Sequence, residues 1–119
     1  MDKNILVKAI QIAEILESSP CQKQETGRYV IVRTYSAGVF AGELESRTGQ
    51  EVVLRNARRL WKWAGAASLS ELAMRGTSKP SECMFPCAVN RVELLQVIEI
   101  LDVTNDARKS IEAVPVWTK

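Results

Sequence analysis

The chain has 119 residues, 16 of them basic and 14 acidic, and a net charge of +2 is too small to indicate a binder of nucleic-acid polymers. Histidine is absent, and this argues against hydrolytic triads and most zinc sites because the usual general base and the commonest metal ligand are missing. A chain of this length predicts one domain, and three cysteines without a signal peptide predict a reducing cytoplasm. No apolar run is long enough to cross a membrane.

Residues 3–18 have the periodicity of a helix whose apolar face is wider than one stripe. The stripe consists of Ile5, Leu6, Ala9, Ile12, Ala13 and Leu16, and Val7, Ile10 and Ile15 widen it. So wide a face predicts that residues 1–19 form an oligomerisation helix, which packs on another subunit as well as on its own domain. A helix on a membrane surface is the weaker interpretation, because the polar face is mixed in sign.

Three β-rich runs follow, over residues 28–35, 39–46 and 51–60, and short turns that contain glycine separate them. Such runs predict an antiparallel meander. Gly42 lies inside the second run, where it indicates a bend of the sheet or the close approach of another backbone.

The third run leads into Arg55–Trp63, which contains four cations and two tryptophans. As an extended strand it would place Arg55, Arg59, Trp61 and Trp63 on one side and Asn56, Arg58, Leu60 and Lys62 on the other. Guanidinium groups match phosphate oxygens and indoles stack on bases, so the pattern suits a flat anionic ligand. The alternative is that the tryptophans belong to the core and the arginines pair with nearby glutamates.

The distribution of charge favours a localised anion site over a surface that follows DNA. Residues 28–63 carry seven cations against three anions, whereas residues 82–112 carry six anions against three cations. The anion site is therefore expected in the first half of the chain.

The second half predicts two short helices and two more strands. Ser68 and Glu71 form a capping box that opens a helix over Leu69–Arg75, which ends at Gly76. Strands are predicted over 85–92 and 94–103, with a helix over 91–101 as the alternative, and a last helix over 107–113 follows a cap at 104–106. The fold class is α+β, an N-terminal helix followed by a small bent antiparallel β-sheet or barrel with two short helices, in one domain whose β-rich core spans 28–117.

Two resemblances bear on function. The placement of glycines and strands over residues 38–54 looks like the helix-plus-bent-barrel order of Sm-like RNA-binding proteins, which makes an RNA-binding or assembly module the alternative function. The runs 32–39, 51–59, 63–70 and 110–117 are similar to a phage-encoded family, the Thoeris anti-defence sponges of the first type described, and this similarity covers about residues 28–117.

The second resemblance implies a protein without catalytic residues, metal or cofactor. It would bind and sequester the cyclic ADP-ribose signals of bacterial TIR-domain enzymes in the infected cell, so that the defence effector stays inactive. It also implies a homo-oligomer, a dimer or a trimer of dimers, and some members have a second pocket for cyclic oligonucleotides of related defence systems such as CBASS. Neither a membrane nor DNA is an expected partner.

The chemistry of the side chains suggests which residues would line a pocket to which two chains contribute. Arg58 and Arg59 are the expected phosphate partners, and Trp61 and Phe85 are candidate stacking surfaces, with the core as their alternative place. The further candidates are Arg28, Arg33, Asn90, Arg91 and Arg108. Arg91 and Arg108 have the alternative of simple pairing with Glu93 or Asp106.

Overall fold

The computed structural model of the protein describes residues 28–118. The helix predicted over residues 1–19 lies outside them. The described part is an α+β fold, with five antiparallel strands in one open sheet and two α-helices. These elements are β1 Tyr29–Thr34, β2 Val39–Thr48, β3 Glu51–Arg59, α1 Leu69–Arg75, β4 Val89–Leu94, β5 Val97–Asp102 and α2 Asn105–Glu112.

The meander of β1, β2 and β3 and the first helix are confirmed. The Ser68 hydroxyl accepts a hydrogen bond from the backbone N–H of Glu71 at 3.3 Å, so Ser68 is the N-cap of α1. The carboxylate of Glu71 reaches back to the N–H of Ala67, at 2.8 Å, one residue before the cap. Gly76, with φ of 76°, ends the helix as predicted.

The strands predicted over 85–92 and 94–103 exist, but their bounds were wrong. Phe85 makes only a single bridge to Val116, and β4 begins at Val89, after Pro86, which has no N–H to donate to a ladder. Gln96 has a left-handed φ of 57° and lies in the two-residue connection between β4 and β5, so the alternative helix over 91–101 is excluded. The last helix begins earlier than predicted, at Asn105, because its N-cap is Thr104.

The order of strands in the sheet is β4-β3-β2-β1-β5. β4 and β5 therefore lie at opposite edges, yet only Leu95 and Gln96 connect them. A turn this short can join the two edges only if the sheet curls, which agrees with the predicted bent sheet.

Each face of the curled sheet covers its own hydrophobic cluster. All members of the inner cluster come from strands: Val30, Val32, Phe40, Leu44, Val52, Leu54, Ala57, Leu94 and Val97. The outer cluster combines the other face of β1 and β2 with both helices and the C-terminal segment: Tyr29, Ile31, Ala41, Leu60, Leu72, Ala73, Cys83, Phe85, Ile111 and Val114. The helices thus cover the convex face, and the strands enclose the concave one.

Gly42 lies where two backbones approach closely, as the sequence indicated. A Cβ atom there would be 3.0 Å from both the Cα of Ala57 and the carbonyl oxygen of Arg55. Only glycine leaves room for β3 at this point. No helix within residues 28–118 combines the length and the apolar composition that a bilayer crossing requires.

Candidate functional site

A β-bulge at Asn56 decides which way the arginines of β3 point. Glu43 and Ala41 are two residues apart on β2, but their partners on β3, Arg55 and Arg58, are three apart. Asn56 absorbs the extra residue with a left-handed φ of 49°, a conformation that asparagine tolerates. The predicted simple alternation was therefore wrong for Arg55, because the bulge places it on the same face as Arg58 instead of beside Arg59.

Arg58 is buried, with 7% of its surface exposed, and its guanidinium bonds to backbone carbonyls instead of a carboxylate. It donates to the carbonyls of Phe85, Pro86, Ile111 and Pro115 at 3.0, 3.0, 3.0 and 3.1 Å. Burial lowers the pKa of Arg58 from its ordinary value. Four of its five N–H donors are thus used by the fold. The structure places Arg58 as a tie between β3 and the C-terminal segment.

Arg59, the next residue, is exposed and lies in a different environment. Its Nη1 atom donates to the carbonyl of Ala37 at 2.5 Å, and its Cζ atom lies 4.4 Å from the centroid of the Phe40 ring. Within residues 28–118 it has no carboxylate partner and no second hydrogen bond. Most of its N–H donors are therefore available to an anion.

Arg59 lines a depression that we name the tryptophan cleft. Its volume is about 320 Å³, and its lining residues are Ser36, Ala37, Gly38, Val39, Arg59, Leu60, Trp61 and Trp63. The turn between β1 and β2 forms one wall, and the chain leaving β3 forms the other. Trp61 is 64% exposed, whereas Trp63 packs partly against the outer cluster. The cleft thus combines a cation that has no carboxylate partner among residues 28–118 with an accessible indole.

The other predicted arginines are engaged with carboxylates. Arg28, just before β1, contacts Asp102 of β5 at 2.6 Å, and Arg33 of β1 contacts Glu99 of β5 at 2.9 Å. Arg91 lies between Glu45 and Glu93, at 3.2 and 3.0 Å. Arg108 lies between Glu43 and Glu112, at 2.7 and 2.9 Å. A phosphate would have to displace a carboxylate at each of these positions.

Phe85 and Asn90 differ in their exposure to solvent. Phe85 is fully buried, and the guanidinium of Arg58 lies 5.5 Å from its ring centroid, so a ligand has no exposed face of this ring on which to stack. Asn90 is exposed on β4, which is an edge strand of the sheet. The structure therefore brings together Arg59 and Trp61 of the predicted set, and it places Arg58 and Phe85 in the interior.

A second depression, which we name the bulge cleft, lies beside Asn56. Its volume is about 260 Å³, and its lining residues are Tyr29, Asn56, Arg58, Ala88, Glu112, Val114 and Val116. The Cζ atom of Arg108 lies 4.6 Å from the centroid of the Tyr29 ring. Burial raises the pKa of Tyr29 to about 12, and the nearby carboxylate of Glu112 adds to the rise.

Sequence reasoning missed several lining residues of both clefts. Ser36 and Gly38 were interpreted only as a hairpin turn, although this turn lines the same cleft as Arg59. Asn56 and Tyr29 carried no signal for the bulge cleft, because the bulge depends on the pairing of β2 and β3. Among residues 28–118, no cluster of histidine, cysteine or acidic side chains is arranged to hold a metal ion.

One protein family matches the chain. A model of a domain of unknown function, DUF6948, covers residues 27–111. The chain belongs to this family. The part that matches DUF6948 includes all five strands and nearly all of α2, and therefore every residue that lines the tryptophan cleft. Neither the curated proteins nor the solved structures include a match to this DUF6948 chain.

Proposed function

We propose that the protein binds and sequesters a cyclic ADP-ribose-type signal in the tryptophan cleft, without cleaving it. The observation that carries the proposal is Arg59, an exposed arginine with no carboxylate partner in the described part of the chain, beside the exposed indole of Trp61. Guanidinium donors bind phosphate oxygens, and an indole face stacks on a base. A phosphorylated ligand with a flat ring satisfies both groups at once.

The resemblance to the Thoeris anti-defence sponges supports a ligand-binding role for the same cleft. Three of the four runs that carry the resemblance contribute residues to its walls. The run 32–39 contributes the turn at 36–39, the run 51–59 contributes Arg59, and the run 63–70 contributes Trp63. The role we propose is therefore that of a phage anti-defence protein in the cytoplasm of an infected bacterium, which holds the signal so that the defence effector is not activated.

The size of the cleft bears on the proposed oligomer. A volume of about 320 Å³ is near the lower limit of about 300 Å³ for small-molecule pockets, so one protomer encloses only part of a ligand with two phosphates and a base. We propose that a second copy closes the site in a dimer or a trimer of dimers. Trp61, which is large, apolar and 64% exposed, is the side chain that such a partner would cover.

Titration of the purified full chain with cyclic ADP-ribose isomers, followed by heating and mass spectrometry of the released ligand, tests the proposal. We expect saturable binding and recovery of the intact ligand. The Arg59→Gln variant should bind about tenfold more weakly or worse, because a hydrogen bond from a charged donor is worth roughly 1.5–3 kcal/mol. Arg33→Gln is the matched control, because Arg33 is also exposed on the sheet but already pairs with Glu99.

Two results would count against sequestration. If no isomer binds, the cleft does not hold this class of ligand. If the ligand returns chemically altered, the protein is an enzyme, and the acidic side chains and tyrosines become the candidate acid–base groups.

A second candidate function is an Sm-like RNA-binding or assembly module. The observation that favours it is the curled five-stranded sheet, whose two edge strands are joined by a two-residue turn. This function predicts affinity for single-stranded RNA that falls by several orders of magnitude as the salt concentration rises, because many phosphates are neutralised. Sequestration of a small ring predicts no such affinity, so one salt series separates the two functions.

A further inference from the structure

The sheet has an open edge at β4. Within residues 28–118, β4 pairs with β3 on one side and with no strand on the other, because it stands at the end of the order β4-β3-β2-β1-β5. An edge strand presents a row of backbone N–H and C=O groups that can pair with another chain. The side chains beside those groups decide which chain fits there.

The side chains of β4 alternate between the two faces of the sheet. Leu94 belongs to the inner cluster, whereas Arg91 and Glu93 are exposed on the opposite face. The same alternation places Val89, which is 44% exposed, at one end of this face and Leu95, which is 60% exposed and lies just beyond the strand, at the other. Along this face the edge is therefore apolar, basic, acidic and apolar.

This pattern is self-complementary when two copies of β4 pair in antiparallel orientation. If Val92 lies opposite Val92 of the partner subunit, Arg91 lies opposite the partner's Glu93, and the two-fold axis repeats the contact. The same register brings Val89 toward the partner's Leu95. A shift by two residues would place Arg91 opposite the partner's Arg91 or Glu93 opposite the partner's Glu93, and like charges in direct opposition destabilise a pair of strands. The charges therefore favour one register.

The ion pairs within one chain leave both charged groups able to bind a partner. Arg91 donates from Nε to Glu45 at 3.2 Å and from Nη1 to Glu93 at 3.0 Å, so three of its five N–H donors remain. The side chain of Glu93 is 67% exposed, and in the described part of the chain it accepts only from Arg91. Each group can thus keep its present bond and form another across the edge.

The opposite edge of the sheet, β5, lacks this complementarity. Its charged residues are Glu99 and Asp102, both acidic, and they pair with Arg33 and Arg28 of their own chain. No register of two β5 strands places a cation of one strand opposite an anion of the other. The edge at which two copies of the chain match in charge is therefore β4.

We propose that a second copy of this chain binds the open edge of β4, through antiparallel pairing of the two β4 strands about Val92. The two five-stranded sheets then continue as one, and the arginines and glutamates of the edge form two ion pairs across the two-fold axis. No residue that lines the tryptophan cleft belongs to β4. The interface is therefore a contact between copies other than the one proposed to close that cleft, and it does not rest on the function proposed there.

Charge reversal on β4 of the full chain tests the interface without any ligand. Arg91→Glu sets acidic groups opposite one another and Glu93→Arg sets basic groups opposite one another, so each variant alone should form smaller assemblies than the wild type by light scattering. The dissociation constant of the β4 contact should rise roughly tenfold or more, because two attractive pairs become repulsive. An equimolar mixture of the two variants should recover the wild-type mass, because each supplies the charges that the other lacks.

Glu99→Arg is the matched control, because Glu99 also pairs with an arginine of its own chain but lies on β5, and it should keep the wild-type mass. Leu95→Gln, at an exposed side chain, should also weaken association, and its mass decides the question if a charge-reversed chain fails to fold by circular dichroism. The inference is overturned if the wild type is a monomer at every concentration, if the β4 variants keep the wild-type mass, if their mixture does not reassociate, or if Glu99→Arg dissociates as they do.

Discussion

Replacement of Arg58 by methionine tests the most specific structural feature of the described chain. Methionine keeps the apolar stem of the side chain but ends short of the guanidinium and has no N–H donors. Two of the four carbonyls keep another partner, since Phe85 O accepts from the N–H of Trp117 at 3.0 Å and Ile111 O accepts from that of Val114 at 3.2 Å. The carbonyls of Pro86 and Pro115 lose the bond that the guanidinium supplied.

The expected cost follows from those two carbonyls. A buried acceptor without a partner costs about 1–3 kcal/mol, and the lower end applies here because both bonds are only part-buried, which gives roughly 2 kcal/mol for the pair. Removal of a desolvated cation offsets part of this loss, whereas the lost bonds to Phe85 and Ile111 add to it, so we expect about 2 kcal/mol. That is a large fraction of the roughly 5–15 kcal/mol by which domains are stable, and the C-terminal segment should loosen first.

Urea unfolding followed by tryptophan fluorescence measures the change, with Arg59→Met as the matched control. Arg59 makes one carbonyl bond and one aromatic contact at the surface, so its replacement should cost less than about 1 kcal/mol. Equal losses from the two neighbouring arginines, or a loss below about 1 kcal/mol for Arg58→Met, would refute the structural role of the buried guanidinium.

Three further predictions concern stability, each measured by urea unfolding. Gly42→Ala should cost about 1–3 kcal/mol because its Cβ would lie 3.0 Å from backbone atoms of β3, and a wild-type value would mean that the bulge relaxes freely. Ser68→Ala should cost about 1 kcal/mol through loss of the N-cap of α1, and no loss would contradict the cap. The pKa of Tyr29 is raised from 10.0 to about 12, so the folded chain keeps a proton that the unfolded chain loses first. The wild type should therefore lose stability relative to Tyr29→Phe as the pH rises through this interval, by up to about 1.4 kcal/mol per pH unit, and parallel curves would exclude the shift.

The elements that could be predicted from the sequence are those whose signals are local. The capping serine and Gly76 fixed both ends of α1, and the turn glycines marked the meander. Gly42 indicated either a bend of the sheet or a close backbone approach, and the structure shows the close approach. Each of these signals comes from a residue type at a particular place along the chain, so it could be interpreted without knowledge of tertiary contacts.

The burial of Arg58 could not be predicted, because its hydrogen-bond partners are distant in sequence. The guanidinium binds carbonyls that are 27, 28, 53 and 57 residues away, and every residue type has such a carbonyl. Pattern alone made Arg58 and Arg59 equivalent candidates for a phosphate. Tertiary structure separates them by burying one and leaving the other at the surface.

The candidate site could likewise be predicted from the sequence only in part. The cations and indoles of Arg55–Trp63 indicated an anionic, aromatic ligand, but the sequence did not show that the 36–38 turn would form the opposite wall. The bulge at Asn56 also moved Arg55 to the other face, because one extra residue in a strand inverts the alternation that follows it. Register, which arises from pairing between strands, is the missing information in both cases.

The central claim is that Arg59 and the adjoining tryptophans bind a cyclic ADP-ribose-type ligand. Calorimetric titration of the wild type, Arg59→Gln and Arg33→Gln with cyclic ADP-ribose isomers at one salt concentration tests it most directly. The account predicts saturable binding to the wild type and Arg33→Gln and a loss of about tenfold or more for Arg59→Gln. Equal affinity of all three proteins, or no binding to any of them, would contradict it.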